Sequence, residues 1–290
     1  MSELFVEFIC EEIPARMQKN AINHMAKFLT SSLIEAGLLD AAFVNDTKSA
    51  IGPRHMAVGL SSLRKKQSDR VIEKRGPKID ASQQAIEGFC KSNGISPTHL
   101  VSKNTSKGVF YFAELKEKGK TIKTFIPEII YKLVSEFPWP KSQRWGTSRV
   151  SWVRPLHYIN VVLDSEVLPG SVDLGGDMSI NFNNVGYGHA FHHKDGFKIF
   201  GFDSYISKMR ELDVLVDVQE RRSKILKNAT NIAEQKGLEL VGDDSLLEEV
   251  CGLVEYPNVL CGEIDSKFMC LPDEVLVTSM RVHQKYFALK

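Results

Sequence analysis

Between Pro138 and Asp164 the chain reads PWPKSQRWGTSRVSWVRPLHYINVVLD, which sets Lys141, Arg144, Arg149 and Arg154 among Trp139, Trp145 and Trp152. All three tryptophans of the chain fall in this stretch. Cations on flexible stems beside broad aromatic faces suit a surface that meets phosphates and stacks on unpaired bases. The same residues would also suit a strand-loop-strand element whose tryptophans are core and whose arginines make structural hydrogen bonds. Composition alone favours that second, plainer reading.

His189, His192 and His193, in the run HAFHH, make the one histidine cluster. On a helix such a spacing could hold zinc, and three imidazoles could activate a water. The neighbouring glycines at 186 and 188 argue instead for strand or loop, where the rings do not align, and no HExxH glutamate accompanies them. A role in packing a turn or bonding RNA is the better expectation, and no metal is expected. Glu11-Glu12 and Asp243-Asp244 are adjacent in sequence, so on a strand they face opposite sides and form no carboxylate dyad. Neither a GxxxxGK[ST] phosphate loop, a GxGxxG dinucleotide turn nor a GxSxG nucleophile elbow occurs. No catalytic set emerges.

The elements that must position these residues read as follows. ELFVEFIC, residues 3–10, is a strand buried on both faces or nearly so. Pro14 opens a helix whose Met17, Ala21, Met25, Phe28 and Leu29 share a face, and Gly37 stops it. Two strands are expected at Ala42–Lys48 and His55–Leu63. The basic run Leu63–Lys78 reads as a solvated face or loop, with a phosphate-contacting arm as the sharper alternative. Ser82 caps a helix closed by Gly94; Val109–Leu115 is a strand; Thr124–Phe137 is an amphipathic helix; and Tyr158–Leu163 is a central strand. Turns follow through the Gly- and Asn-rich segment after Pro169-Gly170. A helix is expected at Ser204–Leu212, a buried strand at Val214–Val218, and a helix at Gln219–Lys236 with Arg221, Arg222, Lys224 and Lys227 exposed. Ser245 and Glu248 form a capping box, Val259–Ile264 reads as a strand, and Pro272 opens a helix that carries Leu276, Met280 and Phe287. The chain stops directly after that helix, so more protein is expected to follow.

The totals bound the class. The 290 residues carry 37 Lys and Arg against 36 Asp and Glu, so any nucleic-acid footprint must be a local patch. Hydrophobic content of 43% and charged content of 25% are those of an ordinary globular protein. No apolar run of about eighteen residues offers a membrane span. Five widely spaced cysteines without a CxxC pair read as reduced thiols, and the acidic N-terminus is no signal peptide, so a cytoplasmic location is expected. The fold class is α+β, a mixed α/β protein, and nucleic-acid binding is the best single function on the residues alone.

Several segments, in order along nearly the whole chain, resemble the beta subunit of bacterial tetrameric glycyl-tRNA synthetases. FVEFICEEIPAR resembles that family's first strand and helix start, IGPRHMAVGL its arginine-containing second motif, RGP its short loop and AIEGFCKSNGI its small helix. PKSQRWG followed by WVRPLHYINVVLD matches the tryptophan stretch, and LLEEVCGLVEYPNVLCGEIDSKFMCLPDEVLVTSMRVHQKYFAL is the strongest segment. Ala190, Cys10 and Gln143 stand where the family is expected to carry an arginine, a glycine and a methionine. The resemblance covers the N-terminal part of such subunits, without their later helical HD-like and anticodon-binding regions.

That resemblance implies a B3/B4-like module of mixed sheets and packed helices. The subdivision it suggests is a βαββ unit at 1–62, a basic loop with a small α/β insert at 63–137, and the main body at 138–290. It implies a ligase that joins glycine to tRNA(Gly) with ATP, releasing AMP and pyrophosphate, in an α2β2 heterotetramer. The alpha subunit would carry the class II site with ATP and Mg2+, and this chain would be non-catalytic with no cofactor of its own. Its partners would be the alpha subunit, tRNA(Gly) and the rest of beta. The residues expected to face RNA are Arg54, Lys141, Arg144, Arg149 and Arg154, followed by His283, Gln284 and Tyr286. An aminoacyl-tRNA deacylase module and a purely structural assembly module are the alternatives.

Overall fold

A computed structural model describes residues 2–290, leaving aside the side chain of Lys116. In chain order it contains β1 (Ser2–Cys10), α1 (Ala15–Glu35), β2 (Lys48–Ile51), β3 (His55–Leu63), β4 (Arg70–Lys78), α2 (Gln83–Asn93), β5 (Leu100–Thr105) and β6 (Gly108–Glu117). There follow α3 (Ile122–Ser135), β7 (Leu156–Leu163), β8 (Glu166–Val167), β9 (Ser171–Gly175), β10 (Met178–Asn183), β11 (Val185–Tyr187) and β12 (Gly196–Lys198). The chain closes with α4 (Phe202–Glu211), α5 (Val218–Gln235), α6 (Asp244–Cys251) and α7 (Asp273–Ser279). This is the mixed α+β class expected. Two compact units result: residues 65–122 form one, and the segments flanking them form the other.

The larger unit is built on a sheet of order β2-β3-β1-β7-β10-β9, with β8 beside β7. All its pairings are antiparallel except β7 with β10. β1 sits between β3 and β7, and Leu4 to Cys10 are all buried. Because successive side chains alternate between faces, β1 serves two cores. Phe5 packs on one side with Phe202, Tyr205 and Met209 of α4. Phe8 meets Trp152 edge-on on the other, at 5.6 Å between ring centroids. Each such ring or aliphatic chain taken from water contributes about 1.5–3 kcal/mol. β7 is central, as its apolar run suggests.

Several local expectations give way to longer-range contacts. Ala42–Lys48 is not a strand: Asp40 accepts a hydrogen bond from the Ala42 amide at 3.0 Å and starts a 3-10 turn over Ala41–Asp46, leaving β2 only four residues. Val214, Leu215 and Val216 are buried without being a strand, their backbone bonded singly to Ile51 and Glu255. Asp217 then caps α5, accepting from the Gln219 amide at 2.7 Å. Arg221 of α5, expected on the surface, is wholly buried. The cap of α6 is Asp243 rather than Ser245, with its carboxylate 2.9 Å from the Leu246 amide. Residues 259–264 form no strand. α7 ends at Ser279 in a π turn over Met280–Gln284, and Phe287 lies beyond it against Ile225, Leu247 and Cys251.

The smaller unit is a sheet of order β4-β6-β5 with α2 packed on β4. Here residues 64–69 of the basic run are a connection outside the strands, while Arg70–Lys78 forms the edge strand β4, largely exposed as a solvated face. Its charges are engaged: Arg70 with Glu117 at 2.6 Å, Lys74 with Asn93 at 2.8 Å, and Arg75 stacked 3.6 Å over the Phe110 ring. Charged side chains on an exposed edge also discourage further strand pairing. Ser82 caps α2 and Gly94, with φ of 64°, ends it, as read from the sequence.

Candidate nucleic-acid interface

The tryptophan stretch folds back on itself. Gln143 and Trp152 exchange both backbone hydrogen bonds, at 2.8 and 3.0 Å, and close a hairpin over residues 144–151. The β9–β10 turn supports that loop. The Arg149 and Val150 amides donate to the Leu174 carbonyl at 2.7 and 3.1 Å, and the Ser148 hydroxyl lies 3.3 Å from the same oxygen. The Thr147 hydroxyl bonds the Asp177 carboxylate and holds its pKa below the ordinary range. Gly175 and Gly176 have φ of 82° and 69°, and a Cβ on Gly176 would stand 2.5 Å from the Thr147 carbonyl oxygen. Only glycine permits so close an approach.

Both readings of the stretch hold, for different residues. Trp152 is fully buried, set edge-on to Phe137 at 4.9 Å and Trp139 at 5.1 Å, and Phe137 stacks on Trp139 at 4.4 Å. Lys141, Arg144 and Arg149 are exposed, and none is ion-paired among the described residues. Beside Lys141 a hollow of about 620 Å³ opens between α1 and Phe137–Lys141, carrying Arg16 and His24. Burial lowers the pKa of the His24 imidazole. Reasoning from the sequence missed Arg16 and His24, whose signal is their position two helical turns apart on α1.

The other residues expected to face RNA lie elsewhere. Arg154 is exposed and donates to the Val153 carbonyl at 2.9 Å. Arg54 is half-buried and paired with Glu11 at 3.1 Å. Glu11 also lies 2.7 Å from His157 Nε2, and that bond first, then Arg54, holds its carboxyl below the ordinary range. Arg54, Glu11 and His157 border a cleft of about 440 Å³ where β1, β3 and β7 end, with Tyr158, Tyr187 and Lys194 also on its walls. Beneath it Glu7 is wholly buried and bonded to three donors: His55 Nδ1 at 3.0 Å, the Tyr205 hydroxyl at 2.5 Å and the Asn160 amide at 2.8 Å. His55 Nε2 faces Glu255 at 3.8 Å. Burial, then Glu7, raises the Tyr205 phenol well above its ordinary pKa.

The histidine cluster lies on a loop between β11 and β12. His192 Nδ1 and His193 Nε2 converge on one oxygen of Asp213, at 2.9 and 3.2 Å, while the His189 amide donates to the Leu212 carbonyl. The cluster ties that loop to the end of α4. Among the described residues no group of three or more His, Cys, Asp or Glu side chains is arranged to hold a metal ion. His283, Gln284 and Tyr286 are exposed around the π turn, which Arg281 and Lys285 fasten to Asp243 and Glu249 of the α6 region. No described helix is long and apolar enough to cross a membrane.

The glycyl-tRNA synthetase beta subunit family matches residues 4–290. The chain is 40% identical over 294 residues to the glycine–tRNA ligase beta subunit of Dinoroseobacter shibae, covering all of this chain and 40% of that one. It is 39% identical over 311 residues to the corresponding subunit of Rhodospirillum centenum, and 37% identical over 291 residues to that of Rickettsia felis, covering 43% and 42% of them. The chain thus spans about two fifths of the length of the curated relatives it matches. It belongs to the glycyl-tRNA synthetase beta subunit family.

Proposed function

We propose that this region of a glycine–tRNA ligase beta subunit holds tRNA(Gly) during glycylation, with the catalytic site, ATP and Mg2+ in an alpha subunit and the assembly in the cytoplasm. One observation carries the reading: among the described residues Arg144 and Arg149, on a hairpin whose base is pinned by Trp152 and the β9–β10 turn, and Lys141 on its lead-in, stand exposed without ion pairs. Cations on a fixed support meet phosphates with little ordering cost, and each phosphate neutralised releases counterions. In tRNA binding by the assembled enzyme, Arg144→Ala with Arg149→Ala is expected to weaken affinity. The slope of log affinity against log salt should flatten by about one unit for each phosphate left without its arginine. Unchanged affinity and slope would place the RNA elsewhere.

A second reading, assembly, has its own observation. Residues 253–286 expose Leu253, Leu260, Met269, Val275 and Tyr286 at 53, 84, 60, 51 and 61%. So much apolar surface close together in one segment suits an interface with the rest of beta or with alpha. The two readings are compatible, since they use different surfaces.

A further inference from the structure

We propose that the cleft at the ends of β1, β3 and β7 holds one unpaired nucleotide, its base against Tyr158 and Tyr187 and its phosphate at Lys194 and Arg54. The inference rests on the RNA-binding reading and names a ligand for a site separate from the hairpin. β7 is buried along most of its length, yet His157 and Tyr158 at its start are exposed, Tyr158 by 41%. Tyr158 lies 5.2 Å from Tyr187 with the rings tilted 31° to each other, so the cleft wall carries two neighbouring aromatic rings. Burial first, then the Tyr158 side chain, raises the Tyr187 phenol pKa. Aromatic faces of this kind stack bases of any sequence.

The charges sort the rest of the ligand. Lys194 borders the cleft, exposed and without an ion pair among the described residues. Arg54 has one of its terminal nitrogens, Nη2, bonded to Glu11, and its guanidinium keeps further N–H donors. Both suit a phosphate. Glu255 and the His55 Nε2 edge lie towards the floor, where a carboxylate repels phosphate and accepts from a ribose hydroxyl or an exocyclic amine. A volume of about 440 Å³ falls within the range of small-ligand sites and is of the size for one nucleotide.

The test titrates the assembled enzyme with adenosine 5′-monophosphate and, separately, with a single-stranded RNA hexamer. Tyr158→Ala is expected to weaken hexamer binding by roughly tenfold, the stacking of about one base, and Tyr158→Phe to restore it. Lys194→Ala is expected to weaken both probes and to lower the hexamer's salt slope by about one. Adenosine monophosphate that binds the cleft as tightly as the hexamer would make a free nucleotide the source; hexamer binding that dominates would make it RNA. Both outcomes support a nucleotide site. Affinities for both probes that ignore Tyr158→Ala and Lys194→Ala would overturn it. The hairpin's salt slope on tRNA is measured separately, so either proposal can fail without the other.

Discussion

Arg221→Ala is expected to destabilise the protein by about 3–5 kcal/mol, a large share of the roughly 5–15 kcal/mol that holds a domain folded. Arg221 has no exposed surface, and its guanidinium gathers carbonyls from three separate segments. Nε donates to Cys251 O at 2.8 Å and Nη2 to Ile51 O at 2.8 Å, while Nη1 bonds Leu215 O. These are the last turn of α6, the end of β2 and the buried segment before α5. Alanine would leave three buried carbonyls without their donor, at about 1–3 kcal/mol each, and a cavity besides. Lysine would not substitute, because one ammonium cannot span the fork. Burial pulls the guanidinium down to about 10, so it is still charged at neutral pH. Urea unfolding reads the cost; a variant within about 1 kcal/mol of the parent would show that Arg221 joins nothing essential.

Glu7→Leu is the second large effect, expected at about 3–4 kcal/mol. Leucine keeps the volume but strands the Tyr205 hydroxyl, His55 Nδ1 and one Asn160 N–H in the core. Asn160 also donates to Val185 O at 2.9 Å and accepts from Val185 N at 3.2 Å, so the damage reaches β11. Glu7→Gln should cost less, since one acceptor oxygen survives while its new NH2 faces another donor. Thermal melting of the two variants orders them. Equal destabilisation in both would mean that charge, rather than the unpaired donors, decides the cost.

Much of the frame is legible because its signals are local. β1 and β7 announce themselves as apolar runs, α1 by helical spacing, and α2 by Ser82 and Gly94. Trp152 in the core with Lys141 and Arg144 outside follows from strand and lead-in. What escapes depends on distant partners. Arg221 looks like any charge on an Arg- and Lys-rich helix; only the convergence of three chain segments buries it. The second half of the basic run, Arg70–Lys78, looks like a loop until β6 pairs with it. Val214–Val216 looks like a strand, but single hydrogen bonds to Ile51 and Glu255 replace a ladder. The cleft is invisible for the same reason. Glu11, Arg54, His157 and Glu255 are far apart in sequence, and antiparallel registers that set Ile9 opposite both His55 and Tyr158 bring their neighbours together. Arg54 stands out in the sequence as a candidate cation, but nothing local marks its pairing with Glu11.

On this reading the region serves tRNA charging by binding RNA while a partner subunit does the chemistry. The direct measurement is glycylation of tRNA(Gly) by the alpha subunit reconstituted with full-length beta, either unaltered or with Lys141→Ala, Arg144→Ala and Arg149→Ala combined. The expected result is a KM for tRNA raised roughly tenfold or more, since three phosphates would be left without their cations, with little change in kcat. An unchanged KM for tRNA in an enzyme that assembles normally would contradict an RNA-holding role for the hairpin.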